Sequence, residues 1–295
     1  VAIKDAYELV RNTVIQGNYI GVDVTGNDSL PNSHSPASEV QDPWRAGVYL
    51  YGNVYNTLLG GAGPAARNII AANAMNGVSI QYWRTLSMDY KTFSNTPALN
   101  KIQGNFIGIT KNGSQAGNRK NGIYSEGVHM KIGGPNPHEG NIISNNLHYG
   151  ILTSVAANDT IQGNFIGADS SGTVDYGNER GGIWYEGSSV RMYDNVISGN
   201  EWRGIYAKGS VIYLSGNHIG VDVTGTQPLG NGYSGVDIGV SGFCEIKNNV
   251  ISANGWSGIG LGRRSLRYPP ARSVQFKILG NAVGTDITGT VALGN

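Results

Sequence analysis

Gly199-Asn200-Glu201-Trp202-Arg203-Gly204-Ile205-Tyr206-Ala207-Lys208-Gly209-Ser210-Val211-Ile212-Tyr213-Leu214-Ser215-Gly216-Asn217 is the shortest complete copy of a pattern that fills the chain. It reads Asn, a short turn, Gly-Ile, an alternating run, a second turn, another run, and Asn again after 17 residues. An aliphatic residue three places before an Asn recurs from Ile15/Asn18 through Ile102/Asn105 and Ile197/Asn200 to Ile278/Asn281. Gly followed by Ile or Val recurs from Gly47-Val48 through Gly182-Ile183 to Gly258-Ile259. Such self-similarity signals coils that stack only on their neighbours. Each copy is too short for a crossover helix and is built of alternating runs, so the coil is β.

Stacking gives the Asn column its reason. One Asn per coil at one turn sets amides about 4.8 Å apart, each donating to the next and satisfying turn backbone that would otherwise be buried unpaired. The expected fold is all-β: a single-stranded right-handed parallel β-helix (a β-solenoid) of about ten coils. Residues 1–295 are expected to form one continuous domain. The chain stops at Leu293-Gly294-Asn295 within a repeat, which suggests a piece of something longer.

The tandem segment Asn100-Lys101-Ile102-Gln103-Gly104-Asn105-Phe106-Ile107-Gly108, with Ile132-Gly133-Gly134, resembles the right-handed parallel β-helix proteins of the pectin-lyase-like superfamily. The resemblance covers essentially the whole chain and implies the fold. It leaves activity open, because that superfamily holds lyases, glycoside hydrolases, epimerases, phage tailspikes and non-catalytic surface proteins.

Composition narrows the partners. Gly is 45 of 295 residues, which suits a chain that turns several times per coil. Charged residues are 14% and the net charge is +1, so nucleic acid is not an expected partner. No apolar run approaches the roughly 18 residues of a membrane span, so no membrane insertion is expected. Cys244 is the only cysteine, which excludes an intrachain disulfide. An extracellular or cell-surface location is expected, and the oligomeric state is open.

Four units carry a Gly-x-Asp-x-x-Gly excursion, beginning at Gly21, Gly167, Gly220 and Gly284. Repeated Asp residues invite a calcium reading, but alternate coils stand about 10 Å or more apart, too far to share one ion. Asp capping its own turn is the simpler account. Thr110 replaces Asp in the equivalent unit, which a turn tolerates better than a metal site. No metal and no cofactor is expected.

Three stretches exceed what the repeat needs. Asn178 to Gly182 takes four residues, whereas Asn32 to Gly47 takes fifteen and includes Trp44. A second excess covers about Gln81 to Ser94, with Trp83 and Arg84. A third follows Gly258 and runs through Arg263 to Arg272. Long loops on a rigid scaffold are where specificity usually resides.

These inserts flank the strand that begins with Gly-Ile. With Ile inward, period two sends the residues between inward positions to solvent. The first outward column is then Tyr49, Ser79, Tyr124, Leu152, Trp184, Tyr206, Asp237 and Gly260. The second is Tyr51, Gln81, Glu126, Ser154, Glu186, Lys208, Gly239 and Gly262. Tyr124, Trp184 and Tyr206 form an aromatic stripe with carboxylates beside it, which is what an extended carbohydrate site needs.

The expected partner is therefore a polysaccharide or oligosaccharide. The substrate-binding candidates are Tyr124, Trp184, Tyr206, Lys208, Trp83, Arg84, Trp44 and Arg263. The catalytic candidates are Glu126, Glu186 and Asp237. Glu126 and Glu186 are two coils apart, about 10 Å, near the carboxylate separation of inverting glycosidases. In a lyase Lys208, Arg263 or Lys91 could serve as base, with carboxylates binding calcium. The rival is a non-catalytic module, such as an adhesin or tailspike-like piece.

Overall fold

The computed structural model describes residues 1–32, 45–82, 96–263 and 273–295 of the chain. Its alternating runs pair in parallel with the run one coil away, and together they build three faces. Face A carries the Gly-Ile strands: Ala2–Arg11, Val48–Tyr55, Val78–Gln81, Ile123–Ser125, Tyr149–Ala156, Gly181–Gly187, the first halves of Arg203–Ser215 and Val236–Lys247, and Ile259–Arg263. Face B follows it on every coil, from Val14–Ile15 to Gln275–Leu279. Face C is made of two-residue strands, from Tyr19–Ile20 to Ala282–Val283. Arg203–Ser215 and Val236–Lys247 run from face A into face B without a break and so join those faces into one sheet. This is the expected parallel β-helix.

The Asn recurrence resolves into two ladders rather than the expected single column. One stands between faces B and C: Asn18, Asn68, Asn105, Asn141, Asn164, Asn195, Asn217, Asn249 and Asn281. The other stands between faces C and A: Asn32, Asn73, Asn118, Asn146, Asn178, Asn200, Asn231, Asn254 and Asn295. The 17-residue unit therefore ran from a rung of one ladder to a rung of the other. The shortest true coil is 22 residues, from Asn178 to Asn200 or Asn195 to Asn217.

Each rung does the same work. Oδ1 of Asn231 accepts both the backbone N–H (3.2 Å) and the side-chain amide (2.9 Å) of Asn200. Asn200 Nδ2 also reaches the carbonyl of Ile166 at 3.0 Å. Backbone groups at a buried corner are thereby paired rather than orphaned.

The ladder also explains the Gly of Gly-Ile. A Cβ at Gly204 would stand 2.7 Å from the Gly235 carbonyl oxygen, 2.9 Å from Asn231 Nδ2 and 3.0 Å from Ile219 Cγ2. No side chain fits between the corner amide and the next coil.

Inward residues form one continuous core. Ile183, Ile205, Val236, Ile161, Ile197 and Ile251 are all buried. The inward column runs through Leu50, Ile80, Ser125, Thr153, Tyr185, Ala207 and Ile238, each at most 3% exposed. Leu261 is the exception at 41%. Cys244 belongs to the same core, where burial pushes its thiol up to about 12, so it acts as apolar filler rather than as a nucleophile.

The excursions are self-contained turns, each closed by an antiparallel bridge such as Ala168 to Asp175 or Val221 to Pro228. Asp222 Oδ1 accepts from the backbone N–H of Thr226 and of Gln227, both at 3.1 Å, and from the Thr224 hydroxyl at 2.8 Å. Asp23, Asp169 and Asp286 repeat the arrangement. Thr110 replaces it with its own hydroxyl, which accepts from Ser114 at 3.0 Å. The Asp residues are spent on their turns.

Candidate functional site

Face A places the first outward column in one register. Tyr49 pairs with Ser79, Ser79 with Tyr124, Tyr124 with Leu152, Leu152 with Trp184, Trp184 with Tyr206, Tyr206 with Asp237, and Asp237 with Gly260. The phase of the strand is as expected. Its exposure is not uniform: Tyr49 is 1% exposed and Ser79 is fully buried, so the solvent-facing part begins at Tyr124. Tyr49 stacks on Tyr51 at 5.6 Å and donates to Gln81 Oε1 at 3.0 Å. Ser79 accepts from Asn76 at 2.9 Å.

The centre of the column is an aromatic step. Trp184 and Tyr206, on successive coils, have ring centroids 4.0 Å apart. Tyr149 adds a third ring 5.4 Å from Trp184. Tyr124 is separated from this step by Leu152, so the stripe is interrupted rather than continuous.

The candidate carboxylates occupy three different settings. Glu126 is buried, at 3% exposure, and accepts from the Tyr124 hydroxyl at 2.7 Å. It was expected in solvent. Its strand ends at Ser125, however, so the period-two rule stops one residue short of it. Its charge also helps burial raise the Tyr51 phenol above its usual value. Glu186 lies beside the step, with Oε1 3.6 Å from Lys208 Nζ. Asp237 ends the aromatic column and accepts from Arg203 Nε.

Lys208 also stands 5.0 Å over the Tyr206 ring. Its hydrogen bond to Tyr206, with a smaller contribution from Glu186, raises its pKa above the ordinary lysine value. The ammonium form is thereby favoured beside Glu186.

Beyond Tyr206 the column drops to glycine. Gly239, Gly260 and Gly262, with Tyr206, Lys208, Asp237 and Leu261, line a shallow depression of about 320 Å³. A side chain at Gly260 would collide with the Asp237 carboxylate, so glycine keeps that oxygen open.

No family model and no curated protein sequence matches the chain. Similar solved structures include the periplasmic alginate epimerase AlgG and two of its variants. A threonine-to-asparagine variant gives a TM-score of 0.47 at 14% identity, covering 94% of this chain and 64% of that one. The unsubstituted epimerase gives 0.43 at 15%, covering 93% and 68%. An aspartate-to-alanine variant gives 0.39 at 15%, covering 92% and 69%. The chain thus spans less than two thirds of the length of the first of these.

Trp44, Trp83, Arg84 and Lys91 lie outside the described residues. Arg263 closes its face A strand opposite Val240. The sequence reading missed Tyr149 and Arg203, which sit three residues after a ladder Asn, just ahead of the Gly-Ile position. Once the second ladder is recognised, that spacing marks the entrance to face A on each coil from Asn73 to Asn254.

Proposed function

We propose that this chain is a carbohydrate-active β-helix that takes an extended polysaccharide along face A. The reading is carried by the Trp184–Tyr206 step, two half-buried rings 4.0 Å apart, bordered by Glu186 and Lys208 and followed by a glycine-floored depression. Flat rings offer apolar faces to the C–H side of pyranose rings. The neighbouring carboxylate and ammonium can bond hydroxyl or acidic groups that fix orientation. Adjacent coils are about 4.8 Å apart, so successive sugar units meet successive coils.

In this reading Glu186 and Asp237 flank the position where a bond would be cleaved, with Glu126 two coils below Glu186. Hydrolysis needs one carboxyl as acid and a second carboxylate as base or nucleophile. A second reading, a non-catalytic binding module, draws on the fact that each of the three carboxylates already has a partner: Tyr124, Lys208 and Arg203. Export to the cell surface or beyond suits both.

The test is a panel of polysaccharides followed by affinity electrophoresis, reducing-end release and absorbance of unsaturated products. The catalytic reading expects binding with product release that is lost in Glu186→Gln. Binding without product supports the module and removes the catalytic assignment. Failure to bind any member removes both.

A further inference from the structure

A second surface lies one corner away from the floor of face A. Two residues after the six successive rungs from Asn118 to Asn254 the chain carries Lys120, His148, Arg180, Trp202, Tyr233 and Trp256. Backbone bonds hold them in a column: His148 N–H to Lys120 (3.1 Å), Arg180 to His148 (3.0 Å), Tyr233 to Trp202 (2.9 Å) and Trp256 to Tyr233 (3.2 Å). Gly181 pairs with Arg203, which sets Trp202 on the coil after Arg180.

One half of the column is aromatic. Tyr233 and Trp256 stack at 5.5 Å with planes 13° apart, and Trp202 lies 6.1 Å from Tyr233. Trp202 is 42% exposed and Trp256 66%. Burial in the core does not explain three large rings repeated on successive coils while two of them stay in water. The Arg203 guanidinium lies 4.2 Å over Trp202 and 4.7 Å over Tyr233, bracing the rings from the strand side.

The other half is cationic. Lys120 and Arg180 bracket His148, and burial together with these two charges lowers its pKa, so the imidazole is neutral near pH 7. Among the described residues neither Lys120 nor Arg180 makes an ion pair. Glu179 and Glu201 stand one residue earlier in their coils and are exposed. The arrangement is a strip of ring faces at coil spacing that runs into two unpaired cations.

We propose that this corner is a second glycan-binding edge, taking an acidic polysaccharide along the helix axis. Pyranose faces would lie on Trp202, Tyr233 and Trp256, and carboxylate or sulfate groups at Arg180 and Lys120. Stacking of this kind is tolerant of sequence, and the cations select against neutral chains. The proposal does not rest on the reading of face A.

The experiment is affinity electrophoresis and calorimetry with polygalacturonate, a sulfated galactan that lacks uronate, and a neutral galactan. It compares the native chain with Trp256→Ala, Trp256→Tyr, the double variant Lys120→Ala/Arg180→Ala, and Trp184→Ala. Trp256→Ala should weaken binding of an acidic glycan on the order of thirtyfold, the scale of a lost hot spot, at unchanged Tm. Trp256→Tyr, which keeps a ring, should retain most of the affinity. The double variant should weaken acidic-glycan binding and flatten its dependence on salt. Which of the two acidic polymers binds more tightly separates carboxylate from sulfate.

Native affinity for Trp256→Ala and for the double variant would overturn the corner, whatever Trp184→Ala does. Equal binding of the neutral galactan, or no binding of either acidic polymer, would overturn it too. A loss confined to Trp184→Ala removes the corner and leaves face A standing. A loss confined to the corner variants does the reverse.

Discussion

Arg203 donates through Nε to the carboxylate of Asp237 on the next coil, while its guanidinium covers the rings of Trp202 and Tyr233. One side chain thus orients the carboxylate at the end of the face A column and braces the neighbouring corner. A planar guanidinium can lie over the rings while its edge donates to the carboxylate.

The Asp237–Arg203 pair is partly exposed, at 25% and 21%, so its contribution to stability is small after screening. Asp237→Ala should therefore leave Tm nearly unchanged. Glycan affinity should fall by roughly fivefold to tenfold, about 1–1.4 kcal/mol, the loss of one ordinary polar contact. Calorimetry and a thermal melt check the two halves separately.

Asn200 is buried and engages Asn178, Asn231 and the Ile166 carbonyl. Asn200→Ala should cost roughly 1–3 kcal/mol, the usual penalty for orphaned buried partners. Glu201 is exposed, so Glu201→Ala should be near neutral. Equal denaturant midpoints for the two variants would remove the ladder from the account of stability.

Close approach makes a matching prediction for glycine. Gly204→Ala pushes a methyl against the Gly235 carbonyl and the Asn231 amide, and should cost about 1–3 kcal/mol or more. Gly63 has open space around it and an extended backbone, so Gly63→Ala should be neutral or slightly stabilising. Chemical denaturation of both variants reads the difference directly.

Asp159 is a buried carboxyl whose Oδ1 accepts from the Met130 N–H at 2.9 Å. Its Oδ2 has no partner among the described residues. Burial raises its pKa from 3.8 to about 8. Below pH 4 the folded and unfolded chains both hold the proton. Between pH 4 and 8 the unfolded chain ionises while the fold does not, so this contribution is lost progressively as pH rises. Asp159→Asn should abolish that slope and make the protein more stable than native at pH 8 by a few kcal/mol. Parallel stability profiles for the two proteins from pH 4 to 9 would contradict the assignment.

Much of this was legible in the residues. Ile183, Tyr185 and Ala207 declare the inward phase of face A through period two alone, and Trp184, Tyr206 and Asp237 follow on the other side. The two ladders were not separable by pattern, because Ile197/Asn200 and Leu214/Asn217 share one local spacing although they belong to different corners. Glu126 was misjudged because a strand's end is set by tertiary pairing rather than by its own sequence. Trp202, Tyr233 and Trp256 align only once Asn200, Asn231 and Asn254 are known to be rungs of the same ladder.

The most direct measurement is a paired glycan titration and thermal melt of Trp184→Ala and Ile183→Ala, with a polysaccharide that binds the native chain. Trp184 is a half-buried platform, so its removal should weaken binding on face A by roughly 1–3 kcal/mol with little change in Tm. Ile183 is 1% exposed in the core, so Ile183→Ala should cost about 2–5 kcal/mol of stability and leave the affinity of the folded fraction largely intact. Native affinity in Trp184→Ala, an unfolded Trp184→Ala, or a harmless Ile183→Ala would each contradict the account of face A as a glycan-binding floor.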